Sequence, residues 1–307
     1  MKKIMQINQP QASKGITISQ VIESHIESCK VRGLSSETIR NYTIMPTSFM
    51  NCVGNKNIHD ITTYDINKFV IHLRERGVNN TSITSYLKTL KQTFKHGDIN
   101  VEFPSIKQED TFKQPYTDDE IKLLLAKPKI NSYTQWRNWA IVNTFLGTGI
   151  RCRTLCNLHI NDIDFTNNTI YLRETKTTKK YYIPLSSELK IVLKHYLSLY
   201  NHEDDDFLFL SQYGEPITTT IVKQTIHDYN LHRGVSKTSC HLFRHTFAIK
   251  YLKNGGNVMY LQNILGHSRL ETTRVYLHIT EEETKQNFDS FCPLDNVKRK
   301  GIKLKGR

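Results

Sequence analysis

No uninterrupted apolar run in this 307-residue chain approaches the ~18 residues that a membrane span requires. Its start, MKKIMQINQPQASKG, also lacks the continuous apolar stretch of a secretory signal. A protein that stays in the cytoplasm, with no membrane partner, is expected. Acidic residues are in short supply: Asp and Glu number 29 against 42 Lys and Arg, a formal charge of +13. That balance favours a polyanionic partner, nucleic acid first, over a merely basic enzyme. The six cysteines, Cys29, Cys52, Cys152, Cys156, Cys240 and Cys292, are scattered through a chain too long to need stapling, so reduced thiols are expected. Cys152, Cys156 and His159 stand close enough in CRTLCNLH to suggest a metal, but no fourth ligand follows at a recognisable spacing. Small side chains buried on a helix are the better reading. No carboxylate cluster suits a divalent cation either, so neither a metal nor another cofactor is expected.

What is present is ordinary for a folded protein, 38% hydrophobic and 23% charged residues, over a length that suits two domains. From residue 17 to about 97 the pattern is helical with repeated stops. TISQVIESHIESCKVRG opens with Thr17 and Gln20 in capping-box spacing, sets Val21, Ile22, Ile26 and Cys29 on one face, and stops at Gly33. A second helix starts at Ser35, carries Ile39, Tyr42 and Phe49, and has Pro46 as an expected kink. Thr62 and Asp65 form another capping box ahead of a helix that ends at Gly77, and Ile83, Leu87, Leu90 and Phe94 mark a fourth that ends at Gly97. The last of these displays Lys88, Lys91, Lys95 and His96, a basic face that could lie along phosphates or be an ordinary solvated face.

The stretch from 98 to 116 mixes two prolines with polar residues and shows no sustained period, which reads as a linker. Thr117 with Glu120 restarts a helix. In TQWRNWAIVNTFLGTGI, a largely buried helix, Trp136 and Trp139 read as core. NTIYLRETKTTKKYYIPL alternates on either side of TKTTK, predicting a β-hairpin with a lysine-rich tip. Helices return at SSELKIVLKHYLSLY, at TTTIVKQTIHDYNLHRG and from HLFRHTFAIKYLKNGG onward, and no internal repeat is evident.

Five short segments hold side chains suited to a phosphodiester. Arg151 follows a glycine-bracketed turn in GTGIRCRTL, where a helix begins. Lys176 sits in the predicted hairpin turn, eight residues before Pro184, with Lys179 and Lys180 close by. CHLFRHTF sets His241 and Arg244 on one helix face. LGHS supplies His267 and RVYLHI supplies Tyr276. Each signal is poor alone, and their ordered conjunction is not.

In these segments the chain resembles the tyrosine recombinase, or phage integrase, family, in outline over both domains and in detail from 147 to 279. The resemblance implies a mostly α fold with a small β-sheet: an N-terminal helical, SAM-like core-binding bundle and a C-terminal α+β catalytic domain. The implied layout is a flexible N-terminus at 1–16, a core-binding domain at 17–100, a linker at 101–116, a catalytic domain over 111–290 and a basic tail at 291–307. It also implies a site-specific recombinase of the simple two-domain type, with no room in about 16 leading residues for an extra arm-binding domain.

By that resemblance Arg151 and Arg244 bind the non-bridging oxygens of the scissile phosphate, and His267 adds a hydrogen bond. Tyr276 is the nucleophile that leaves a 3′-phosphotyrosine, His241 assists as general base, and Lys176 protonates the leaving oxygen. The family's common acidic residue three positions after the first arginine is here Thr154. The implied partners are double-stranded DNA sites and a homo-tetramer on two of them, with an accessory DNA-bending protein an option. TEEETKQNFDSF would be the helix exchanged between protomers, and VKRKGIKLKGR would add phosphate contacts or remain a solvated tail. Integration or excision of a mobile element is the expected process. A Xer-type dimer resolvase, an inversion enzyme, a type IB topoisomerase and a catalytically silent DNA-binding regulator stay open as alternatives.

Overall fold

The computed structural model describes residues 15–107, 114–129, 132–173 and 180–266. The chain divides into two compact units, residues 1–112 and 113–307.

The N-terminal unit is built on four helices: α1 (Ile18–Val31), α2 (Ser36–Val53), α3 (Thr63–Glu75) and α4 (Asn80–His96). Local chemistry marks where each begins. Gln20 reaches back to the Thr17 amide at 2.9 Å and Asp65 to the Thr62 amide at 3.0 Å, while Ser35 and Asn79 accept from amides three residues on. Pro46, the expected kink, lies buried within α2, which continues past it to Val53.

The apolar stripes meet around Phe49, whose ring packs edge-on against Phe69 and Phe94, each at 5.4 Å between centroids. Such pairs contribute about 0.5–1.5 kcal/mol beyond the area they bury. The extended chain after α4 does not behave as a free linker at first. Ile99, Val101, Phe103 and Ile106 pack on this core, because an apolar residue at nearly every second position lays one side of an extended strand on it.

The C-terminal unit centres on α6 (Tyr133–Thr148), buried on almost every side, from Trp139 through Ala140, Ile141 and Val142 to Phe145. A helix apolar all round belongs inside a domain. Around it stand α5 (Asp118–Leu125), α8 (Ser187–Leu197), α9 (Thr219–His232) and α10 (Cys240–Lys253). Trp139 is core, its indole N–H donating to the Leu125 carbonyl at 2.8 Å, and Trp136 leans on it edge-to-face at 5.4 Å.

The hairpin is present as β2 (Thr169–Arg173) and β3 (Lys180–Pro184), antiparallel, with Thr169 opposite Pro184 and Arg173 opposite Lys180. A two-residue strand that the alternation did not reveal, β1 (Ile163–Asp164), pairs with β2 and completes a three-stranded sheet. The hairpin tip, with Lys176 and Lys179, lies outside the described residues. Of the shorter helices, α7 (Cys152–Cys156) follows α6, and α11 (Val258–Leu265) docks on α10 through Leu261, Leu265 and Ala248.

Candidate active site

A turn that only glycine fits sets the position of the first arginine. Gly149 ends α6 with φ +64° in the left-handed region, and a Cβ there would come within 2.4 Å of Phe247 and 3.0 Å of Leu265. Ile150 anchors the next step in the core, and Arg151 stands at the first position before α7 with its side chain exposed.

The second arginine arrives on α10. That helix is fixed from behind by Phe243, fully buried against Tyr116 and Phe145, and by Thr246, whose hydroxyl accepts the Tyr116 amide at 3.0 Å. Tyr116 is itself held, accepting from the Asn230 amide group at 2.9 Å and donating to the Lys237 carbonyl at 3.1 Å. With that face committed to the core, His241 and Arg244 are left to line a cleft of about 480 Å³.

Arg244 is only 3% exposed and donates to the carbonyls of Gly149 at 2.9 Å and Leu265 at 2.8 Å. Arg151 donates to the carbonyl of Gly266 at 3.3 Å. Both guanidinium groups thus sit against the C-terminal carbonyls of α6 or α11, the negative ends of those helices, which favours a cation there. They tie together the turn before α7 and the end of α11, after which the chain runs on to His267.

The cleft is lined by Ile150, Arg151, Cys152, Lys223, Thr238, Ser239, Cys240, His241 and Arg244. Among these described residues three are cations, one is an imidazole and none is a carboxylate, an arrangement that attracts an anion. A guanidinium presents a fork of N–H donors matched to phosphate oxygens and keeps its charge at any physiological pH.

Arg151 is therefore brought into one cleft with His241 and Arg244, about ninety residues further along the chain. Lys176, His267 and Tyr276 fall outside the described residues. Lys223, Thr238 and Ser239 carry no signal in the sequence. Lys223 reaches the cleft from α9, a helix whose pattern holds no motif, so only the packing of α9 against α7 reveals it. Thr154, in the place of the family's acidic residue, lies half-buried in α7.

The suggested metal set takes another form. Cys156 is buried and Cys152 half-buried on α7, while His159 is bonded through Nδ1 to the Asp205 carbonyl at 2.7 Å and packs on Phe207. Lys88, Lys91 and Lys95 are all exposed on α4, at a spacing that gives them one face. His96 is bonded to the Ser24 hydroxyl through Nε2 at 3.0 Å. No helix among the described residues is long and apolar enough to cross a membrane.

Comparison with known proteins gives the same reading. The phage integrase family profile matches residues 115–283, and that of the phage integrase N-terminal SAM-like domain matches residues 21–98. Tyrosine recombinase XerA of Pyrococcus furiosus is 29% identical over 288 residues, covering 91% of this chain and 96% of its own. Tyrosine recombinase XerC of Pediococcus pentosaceus is 29% identical over 267 residues, covering 80% and 87%.

Among solved structures, the Tn1549 transposon integrase in complex with transposon right end DNA superposes with a TM-score of 0.74 at 21% identity, covering 90% of this chain and 99% of that one. A lambda integrase dimer bound to a core site gives 0.69 at 20% identity, covering 85% and 77%. At such identities they show the fold alone. The chain belongs to the phage integrase family and is a tyrosine recombinase, an enzyme of DNA strand cleavage and rejoining.

Proposed function

We propose that the cleft between Arg151, His241 and Arg244 holds the scissile phosphate of a duplex DNA site, and that Tyr276 attacks it. The observation that carries this reading is the convergence of two arginines and a histidine on one cleft. A phenol with a reference pKa of ~10 is almost entirely protonated at neutral pH, so attack on phosphorus needs a base and a cationic surrounding.

His241 takes the phenolic proton. Arg151 and Arg244, joined by His267, hold the non-bridging oxygens as charge builds on the phosphorane. Tyr276 displaces the 5′-oxygen in line, Lys176 supplies its proton, and the strand end is left as a 3′-phosphotyrosine. The bond energy is conserved in that ester, so the reverse attack by a 5′-hydroxyl reseals a strand without ATP.

In the N-terminal unit, Lys88, Lys91 and Lys95 contact the phosphate backbone of the same duplex. The working form is a homo-tetramer on two sites. The process we favour is integration and excision of a mobile element, for which the fold shared with a transposon integrase is the support. The similarity to XerA and XerC keeps resolution of replicon dimers as the second reading.

Covalent capture tests the chemistry. The protein is incubated with fragmented DNA of its source replicon, DNA that stays attached through detergent is recovered, and the ends are sequenced. A discrete sequence captured by the wild type and not by Tyr276→Phe is the expected result. Equal capture by both would remove Tyr276 as the nucleophile.

A further inference from the structure

One cation of the phosphate cleft has no task in the chemistry proposed above. Lys223 lines the cleft beside Arg151, His241 and Arg244, and it comes from α9, which supplies no other lining residue. Its place is set by packing. Val222 and Ile226 on either side of it are buried, and at the start of the helix the Thr219 carbonyl accepts from Cys152 Sγ at 3.9 Å. Cys152 directly follows Arg151. The first turn of α9 is thereby joined to the residue after the first arginine, and Lys223, four positions beyond Thr219, stands one turn further along the same helix face.

Nothing on its own helix neutralises it. Asp228 is the one acid of α9, and both its oxygens accept from the Gln224 amide, at 3.1 and 3.2 Å. Arg151 and Arg244 are each tied to backbone carbonyls. Lys223 is exposed and makes no hydrogen bond or ion pair among the described residues.

Ser239 adds a neutral donor to the same cleft. It precedes α10, and its carbonyl accepts the Leu242 amide at 2.9 Å, yet its hydroxyl makes no capping bond. A serine at that position ordinarily caps with its side chain, so here the hydroxyl is available to a ligand.

The cleft has room and charge for more than one phosphoryl group. Its volume of about 480 Å³ lies in the ~300–1,000 Å³ range that takes a drug-sized ligand. A scissile phosphodiester carries one negative charge, and the lining offers three cations. A duplex strand presents its next phosphate only ~3.4 Å further along the helix axis.

We infer that Lys223, with the Ser239 hydroxyl, holds the backbone phosphate next to the scissile one on the same strand, and so is a positioning residue for cleavage. Held at one phosphate, a strand still turns about its ester bonds. Held at two, the bond to the 5′-oxygen keeps one direction relative to the attacking phenol, the alignment that in-line displacement needs. An ammonium suits this contact as a compact charge with three rotatable donors.

The inference rests on the recombinase reading for its effect on rate, and two measurements separate them. The first needs no cleavage: full-length Tyr276→Phe protein is bound to a duplex of arbitrary sequence over a series of salt concentrations, with and without Lys223→Gln. The slope of log affinity against log salt should fall by about 0.9 with Lys223→Gln, and Lys223→Arg should restore it.

The second is single-turnover cleavage of the duplex identified by covalent capture, at saturating protein with Tyr276 intact. Each phosphate flanking the scissile one is replaced in turn by a neutral methylphosphonate. On the unmodified duplex Lys223→Gln should slow cleavage about tenfold or more, and Ser239→Ala about two- to tenfold. At one flanking position, where the neutral linkage has already slowed the wild type, Lys223→Gln should add nothing.

An unchanged salt slope, an unchanged rate, losses that multiply at every flanking position, or a loss that follows a change of base instead overturns the inference. A melting temperature lowered by Lys223→Gln would assign the residue to the fold rather than to DNA. Failure of the wild type to cleave any duplex overturns the recombinase chemistry, while the salt slope still decides whether Lys223 meets a phosphate.

Discussion

Arg151 and Arg244 have the same proposed role toward phosphate but different roles in the fold, and replacing each by alanine separates the two. Arg244 is almost fully buried and ties two carbonyls, those of Gly149 and Leu265, at 2.9 and 2.8 Å. Hydrogen bonds from a charged donor contribute about 1.5–3 kcal/mol each, and a carbonyl left buried without its donor loses its water as well. Removing a buried guanidinium also returns part of the cost of desolvating it. A net loss of about 3 kcal/mol is therefore expected for Arg244→Ala. At roughly 2–4 °C per kcal/mol for a domain of this size, its melting temperature should fall by about 6–12 °C.

Arg151 is exposed and makes one hydrogen bond of 3.3 Å to Gly266. Its replacement should cost under about 1 kcal/mol, a shift of no more than about 4 °C. In covalent capture the two variants should be alike, each losing at least ~10²-fold because charge building on the phosphorane loses a fixed cation. Calorimetry of the C-terminal unit's transition beside the capture assay measures both effects. Equal melting of the two variants, or an Arg244→Ala protein as stable as the wild type, would refute the claim that Arg244 ties α6 to α11.

The same turn gives a second prediction: Gly149→Ala meets Phe247 at 2.4 Å in a left-handed backbone, and should destabilise the unit by about 1–3 kcal/mol, read as a lower melting temperature. In the N-terminal unit, His25 is buried, bonded to the Thr93 hydroxyl at 3.0 Å and stacked on His96. Burial first, then the charges of His96 and Arg32, lower its pKa from 6.5 to about 4. The unfolded chain then binds a proton that the folded one refuses, so stability should fall as the pH drops from about 6.5 toward 4. Denaturant titrations across that range should show the slope, and His25→Gln should flatten it. Asp65 works in a lower window. Burial alone would raise its pKa, but hydrogen bonds from Lys56 and Thr62 outweigh that and hold it below the usual carboxylate value. Its contribution is present above the unfolded pKa of ~3.9 and is lost as the pH falls through the folded one. Asp65→Asn should lower stability at neutral pH and remove that acid loss. Finally, alanine at Lys88, Lys91 and Lys95 together should weaken DNA binding without regard to sequence. The slope of log affinity against log salt should drop by about 0.9 for each phosphate no longer neutralised, with capture chemistry intact on saturating DNA.

Much of this protein was determined by local sequence. Caps and glycine stops delimit the first four helices because the orphan amides and carbonyls of a helix end must find partners within a few residues, as Thr17, Ser35, Thr62 and Asn79 provide. Alternation across NTIYL and KYYIP marked the hairpin, since period 2 is a property of the strand itself. The spacing of Arg151 to its turn and of His241 to Arg244 was equally local, so the candidate residues were legible in order.

Tertiary structure alone decided the rest. β1 is two residues long and exists only because β2 offers it an edge. The residues from Ile99 to Ile106 join the first unit because a core already stands beside them. Lys223 enters the cleft because α9 packs against α7, where Cys152 Sγ lies 3.9 Å from the Thr219 carbonyl, 67 positions along the chain. Burial of Arg244 against Gly149 and Leu265 belongs to the same class. A sequence states which side chain is available, whereas the free energy of burying and pairing it depends on partners that only the folded chain brings within reach.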